Sequence, residues 1–121
     1  MNVVIADDSR VMRRIIGKAV ELLGHNIIYA CNGQEVLDYL EKCGDEIELI
    51  LLDWNMPVLT GFEALQQMQE NCKYQNIPVL MVSTESEDQK VDQAKEAGAC
   101  GYLAKPFTQE ELASAIQMVI N

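Results

Sequence analysis

Short apolar runs alternate along this chain with longer stretches in which apolar residues recur every three or four positions. The short runs are Val3-Val4-Ile5-Ala6, the segment at Ile27, Leu49-Ile50-Leu51-Leu52, Val79-Leu80-Met81-Val82 and Tyr102-Leu103-Ala104. They lack strict polar alternation, as expected of strands buried under helices on both faces of a sheet. Five such runs, each followed by an amphipathic stretch, predict repeated βα units and an α/β domain with a doubly wound, five-stranded parallel sheet.

Helix punctuation supports this reading. Val11, Met12, Ile15, Ile16, Ala19 and Leu23 trace one apolar stripe, and Leu112, Ile116, Val119 and Ile120 another; both are read as core faces. Asn32-x-x-Glu35, Thr60-x-x-Glu63, Thr84-x-x-Glu87 and Thr108-x-x-Glu111 resemble capping boxes, and Gly24, Gly44 and Gly98 fall where helices would end. Helices are predicted over 9–23, 33–43, 60–72, 85–97 and 108–120. No linker, repeat or shift of composition divides the 121 residues, so 1–121 is read as a single domain with no attached output domain.

Polar residues close the apolar runs: Asp7-Asp8 after the first, Asp53 after the third, Ser83-Thr84 after the fourth and Lys105 after the fifth. Parallel strands deliver their carboxyl ends to one edge, so these residues would share one site. Two carboxylates 4 Å apart repel by roughly 4 kcal/mol at an effective dielectric near 20, and one lysine cannot offset three such groups. A site of this kind implies a bound divalent cation or a strongly raised carboxylate pKa. Its oxygen donors and spare coordination positions suit Mg²⁺.

Composition removes other classes. The formal charge is −10, of which the three site aspartates and Lys105 account for −2, so −8 remains elsewhere. Nucleic acid is therefore not an expected partner, because phosphate backbones are held by clustered Lys and Arg. No apolar run approaches membrane-spanning length and no signal peptide is visible, which points to a cytoplasmic protein. Cys31, Cys43, Cys72 and Cys100 show no zinc-like spacing and are read as reduced thiols.

The acidic pair, Asp53 in Asp-Trp-Asn-Met-Pro, the hydroxyl in Met-Val-Ser-Thr-Glu, and Gly-Tyr-Leu-Ala-Lys-Pro-Phe together resemble the receiver domain of two-component response regulators. The likeness spans essentially the whole chain. It implies a flavodoxin-like (βα)5 fold with strand order 2-1-3-4-5 and a phosphorylation-switched signalling protein of a phosphorelay, of the single-domain chemotaxis type.

By that resemblance Asp53 accepts a phosphoryl group from a histidine kinase, a histidine phosphotransfer protein or a small donor. Asp8, Asp53 and the backbone carbonyl of Asn55 bind Mg²⁺, or Mn²⁺ in its place, with Asp7 acting directly or through water. Lys105 pairs with Asp53 at rest and with the phosphoryl group afterwards. Ser83 senses that group, and Tyr102 packs behind it. Thr84 reads instead as the cap of the fourth helix. Asn55 and Glu85 would tune dephosphorylation, and the Lys105-Pro106 bond would be cis. Trp54, beside the acceptor, would report Mg²⁺ binding and phosphorylation by its fluorescence.

The implied activity is phosphorylation and dephosphorylation of the protein itself, not that of a conventional enzyme. Arg10, Arg13, Arg14 and Lys18 on the first helix would receive the kinase or phosphotransfer protein. An output protein would read the face of helix 4, strand 5 and helix 5. There Asp88, Ala115 and Met118 replace lysines common in flagellar-motor-binding relatives, which leaves the output partner open. The chain is expected as a monomer, with phosphorylation-linked dimerisation as the alternative. A small Mg²⁺-dependent phosphohydrolase with an aspartyl-phosphate intermediate is the rival function, but nothing in the sequence supplies a substrate cap. A flavodoxin-like cofactor module is disfavoured because Asp7-Asp8 would repel a flavin phosphate.

Overall fold

The structure, a computed structural model, describes residues 2–84 and 88–120. Five parallel strands, β1 (Asn2–Ala6), β2 (Asn26–Ala30), β3 (Ile47–Leu52), β4 (Val79–Ser83) and β5 (Gly101–Ala104), form one sheet in the order β2-β1-β3-β4-β5. Five helices alternate with them: α1 (Arg10–Leu22), α2 (Gly33–Cys43), α3 (Gly61–Gln69), α4 (Asp88–Glu96) and α5 (Gln109–Ile120). The order reverses between β1 and β3, which are paired from Val3 with Leu49 to Ala6 with Leu52. That pairing sets Asp7 and Asp53 side by side at the switch point.

The missing polar alternation in the strands has its structural cause in two cores. Val3, Ile5, Leu49, Leu51, Leu80 and Val82 point to one face, where they meet Ile16, Ala19 and Val20 of α1 and Leu112 and Ile116 of α5. The intervening Val4, Ala6, Ile50, Leu52, Val79 and Met81 point to the other, against α2, α3 and α4. Alternate positions are apolar on both sides because both sides are covered.

Two helix features depart from the sequence reading. On α1, Val11 is 69% exposed, Ile15 42% and Leu22 74%, so these do not belong to the core face. Consecutive residues on a helix lie about 100° apart, so a stripe containing both Val11-Met12 and Ile15-Ile16 is wider than one sheet contact can cover. Met12, Ile16, Ala19, Val20 and Leu23 pack inward, leaving an exposed apolar strip beside them. Helix α3 stops at Gln69 instead of 72. There Glu70 N–H and Asn71 N–H turn back to Gln67 and Met68, and the Asn71 side chain accepts from Lys73 N–H at 3.0 Å.

The capping signals resolve individually. Thr60 with Glu63 and Thr108 with Glu111 form reciprocal boxes. Asn32 accepts from Glu35 N–H, but the Glu35 carboxylate reaches one residue further back, to Cys31 N–H at 2.7 Å. Thr84 is described; Glu85 and Glu87 lie outside the described residues, as does the start predicted for α4 at 85. Gly24 and Gly98 take φ of 88° and 111°, as helix-ending glycines do, whereas Gly44 stays right-handed at −55° and begins a 3₁₀ turn. All four cysteines are unpaired.

Candidate functional site

The carboxyl ends of β1, β3, β4 and β5 bring five of the predicted residues together. Asp7 is 1% exposed, Asp53 7% and Ser83 0%, while Asp8 is exposed. Lys105 Nζ lies 2.7 Å from Asp7 Oδ2 and 3.2 Å from Asp53 Oδ2. The resemblance paired this lysine with Asp53 alone; its long stem, rooted past β5, bridges both carboxylates and sits closer to Asp7. The Ser83 hydroxyl hydrogen-bonds the Asp53 carboxylate, whereas Thr84 is exposed. The Lys105-Pro106 peptide is cis.

Local sequence explains the close approach of α3 to the acceptor loop. A Cβ on Gly61 would fall onto the Asp53 carbonyl oxygen, so only glycine lets α3 begin against that backbone. Gly61 N–H in turn donates to the Trp54 carbonyl at 2.9 Å. Trp54 itself is buried, stacks on Phe62 at a centroid distance of 4.6 Å and carries Lys90 Nζ 4.8 Å above its ring. Neither Gly61 nor Lys90 was singled out in the sequence. Thr60 as a cap placed the helix start but not this contact, and nothing in the pattern around Lys90 points to Trp54.

Burial is the main cause that raises the Asp53 pKa above 3.8; Lys105 opposes it and the Asp7 charge adds to it. Lys105 moves up as well: burial works against its charge, but the Asp7 hydrogen bond and the Asp53 charge prevail. Asp7, Asp8 and Asp53 each offer a ligand oxygen, and these atoms all lie within 4.8 Å of one another. Oxygens facing each other across a Mg²⁺ ion are about 4 Å apart, so this all-oxygen set could hold such a metal with small adjustments.

A raised carboxylate pKa makes ionised Asp53 a destabilising group. The protonated form contributes its stability in full below the unfolded value of 3.8, and that contribution is lost as pH rises through the folded pKa. In metal-free buffer at pH 7, Asp53→Asn is therefore expected to be more stable than wild type, by about 1 kcal/mol, the usual scale of a single substitution. Urea unfolding across pH checks this: the advantage should shrink as pH falls towards 4, and a variant less stable at pH 7 would contradict it.

Residues 3–117 match the response regulator receiver domain family, and the chain belongs to that family. Within it, the likeness is to CheY, and the chain is a response regulator receiver domain of CheY type, a signalling protein. The CheY homolog of Campylobacter jejuni is 36% identical over all of this chain and 93% of its own length. CheY1 of Helicobacter pylori is 31% identical over 100% and 98%. The structure of Vibrio cholerae CheY4 superposes with a TM-score of 0.89 at 34% identity, covering 98% of this chain and 97% of that one. CheY in the CheX–CheY–BeF3–Mg complex from Borrelia burgdorferi gives 0.94 at 27% identity, covering 100% and 90%. Among the described residues no helix is long and apolar enough to cross a membrane.

Proposed function

We propose that Asp53 is the phosphoacceptor of a Mg²⁺-dependent chemotaxis-type switch and that Asp8, Asp53 and the Asn55 carbonyl, assisted by Asp7, hold the cation. The observation that carries this reading is one half-buried lysine shared by two buried carboxylates, with the Ser83 hydroxyl on the acceptor. Asp53 would attack phosphorus to give an acyl phosphate. Bound Mg²⁺, or Mn²⁺, would neutralise charge on the transferring oxygens. Ser83 and Lys105 would then hold the phosphoryl group, and Tyr102, half-buried on β5, would follow Ser83 inward. The Borrelia CheY, whose complex contains BeF3 and Mg, supports the same chemistry here.

Asn55 is exposed two residues past the acceptor, where its side chain would influence hydrolysis of the acyl phosphate. Glu85, its predicted companion, lies outside the described residues. Reaction with acetyl phosphate should stop at one phosphoryl group per chain. Sustained turnover of an unrelated phosphomonoester would favour the phosphohydrolase reading instead.

The exposed strip on α1 sharpens the docking surface for a histidine kinase or phosphotransfer protein. Arg10, Val11, Arg14 and Ile15 line a shallow depression, with exposed Lys18 and Leu22 further along the helix. An apolar seam flanked by cations suits a donor helix with apolar and acidic residues. Neutralising Arg10, Arg14 and Lys18 together is expected to slow transfer from the protein donor at least tenfold, about 1.4 kcal/mol, and to spare acetyl phosphate. Stopped-flow rates with both donors test this; equal slowing would contradict docking.

At the β5 edge, Tyr102, Ala115 and 81%-exposed Met118 border a groove of about 290 Å³ between β5 and α5, which an output protein would read. The switch would operate in the cytoplasm, as a monomer whose association with partners changes on phosphorylation.

A further inference from the structure

Every backbone and carboxylate hydrogen-bonding group of Asp7 is engaged. Its N–H donates to the Ala30 carbonyl at 3.1 Å, its Oδ1 accepts from Ser9 N–H at 2.8 Å, and its Oδ2 accepts from Lys105 at 2.7 Å. The fourth bond comes from α1: the Arg13 guanidinium donates to the Asp7 carbonyl at 2.6 Å. That carbonyl and the N–H of Asp8 belong to one planar peptide unit, so holding the first fixes the second. Asp8 is exposed, and the direction of its carboxylate depends on the backbone that carries it.

Arg13 also differs from its neighbours. Arg10 and Arg14 are exposed, whereas Arg13 is half-buried. It still borders a surface depression with Arg10 and Arg14, but its guanidinium is also bonded to the acidic loop. We infer that Arg13 is a positioning residue of the acidic site, holding the Asp7-Asp8 peptide so that the Asp8 carboxylate faces those of Asp7 and Asp53. This inference rests on the reading that those carboxylates bind a divalent cation.

The sign of one measurement separates positioning from simple electrostatics. A guanidinium near the site repels a divalent cation, so as a point charge its removal would tighten Mg²⁺ binding. As a clamp on the loop, its removal weakens binding, because the ligand set is no longer held in place. A residue that only supports α1 would leave the affinity unchanged.

Mg²⁺ titration of the full chain, followed by the fluorescence of Trp54 and by calorimetry, decides between these outcomes. Arg13→Met is expected to bind Mg²⁺ about tenfold more weakly than wild type. Arg13→Lys keeps the charge but not the planar fork, and should lose a smaller part of the affinity. Either variant binding as tightly as wild type, or more tightly, overturns the role of Arg13; if one does not fold, the other carries the test. A wild type with no saturable response overturns the cation reading itself, and the role of Arg13 with it.

Discussion

In metal-free buffer, Lys105→Met is expected to be about 3 kcal/mol less stable than the wild type. The substitution keeps most of the stem and removes the charge that lies 2.7 Å from Asp7 and 3.2 Å from Asp53. The lysine side chain is 11% exposed and those of the aspartates 1% and 9%, so water makes up for only part of what is lost. Leaving buried charges unpaired costs about 3 to 5 kcal/mol. The lower end applies because Asp53, already raised by burial, can take up a proton.

Metal should reverse much of this loss. A ligand at a hundred times its dissociation constant stabilises the folded state by about 2.7 kcal/mol. A cation entering the variant would meet the same carboxylates without a lysine to repel it, so Mg²⁺ should stabilise Lys105→Met more than wild type. Urea unfolding of both proteins in EDTA and in Mg²⁺ measures the difference. Equal stability in EDTA would mean that Lys105 does not pair with the buried carboxylates.

The five parallel strands and the two-sided cores were legible from periodicity, and the meeting of Asp7, Asp53, Ser83 and Lys105 at one edge from the direction of parallel strands, whereas the strand order came from the resemblance. The resemblance added the roles. What escaped the sequence depends on rotation and reach. The α1 stripe could not be divided between core and surface because Val11 and Ile15 are as apolar as Met12 and Ile16. Burial assigns them differently only once the tilt of α1 on the sheet is fixed.

Arg13 and Arg14 are likewise indistinguishable as letters, yet one turns back to the Asp7 carbonyl and the other faces outward. A side chain to backbone bond of this kind leaves no periodic trace. The burial of Ser83 against Asp53 was accessible, because Ser83 closes β4 at the edge where the acidic residues gather. The closer contact of Lys105 with Asp7 was not, since a flexible stem reaches either carboxylate and only their placement in three dimensions decides.

The largest expected effect is complete loss of phosphoryl acceptance on Asp53→Asn. The amide nearly matches the carboxylate in shape but lacks the anionic oxygen that attacks phosphorus, and no neighbouring group takes its place. Asp7 is held by Lys105 and Ser9, and Asp8 lies at the exposed rim. Because the same variant is expected to be more stable than wild type in metal-free buffer, its failure to react cannot be assigned to unfolding.

Intact-protein mass spectrometry after incubation with acetyl phosphate and Mg²⁺ tests the central claim most directly. The wild type should gain a single labile adduct of about 80 Da, one phosphoryl group, that requires Mg²⁺ and is absent from Asp53→Asn. No adduct on the wild type, or an adduct that persists in Asp53→Asn, would contradict it.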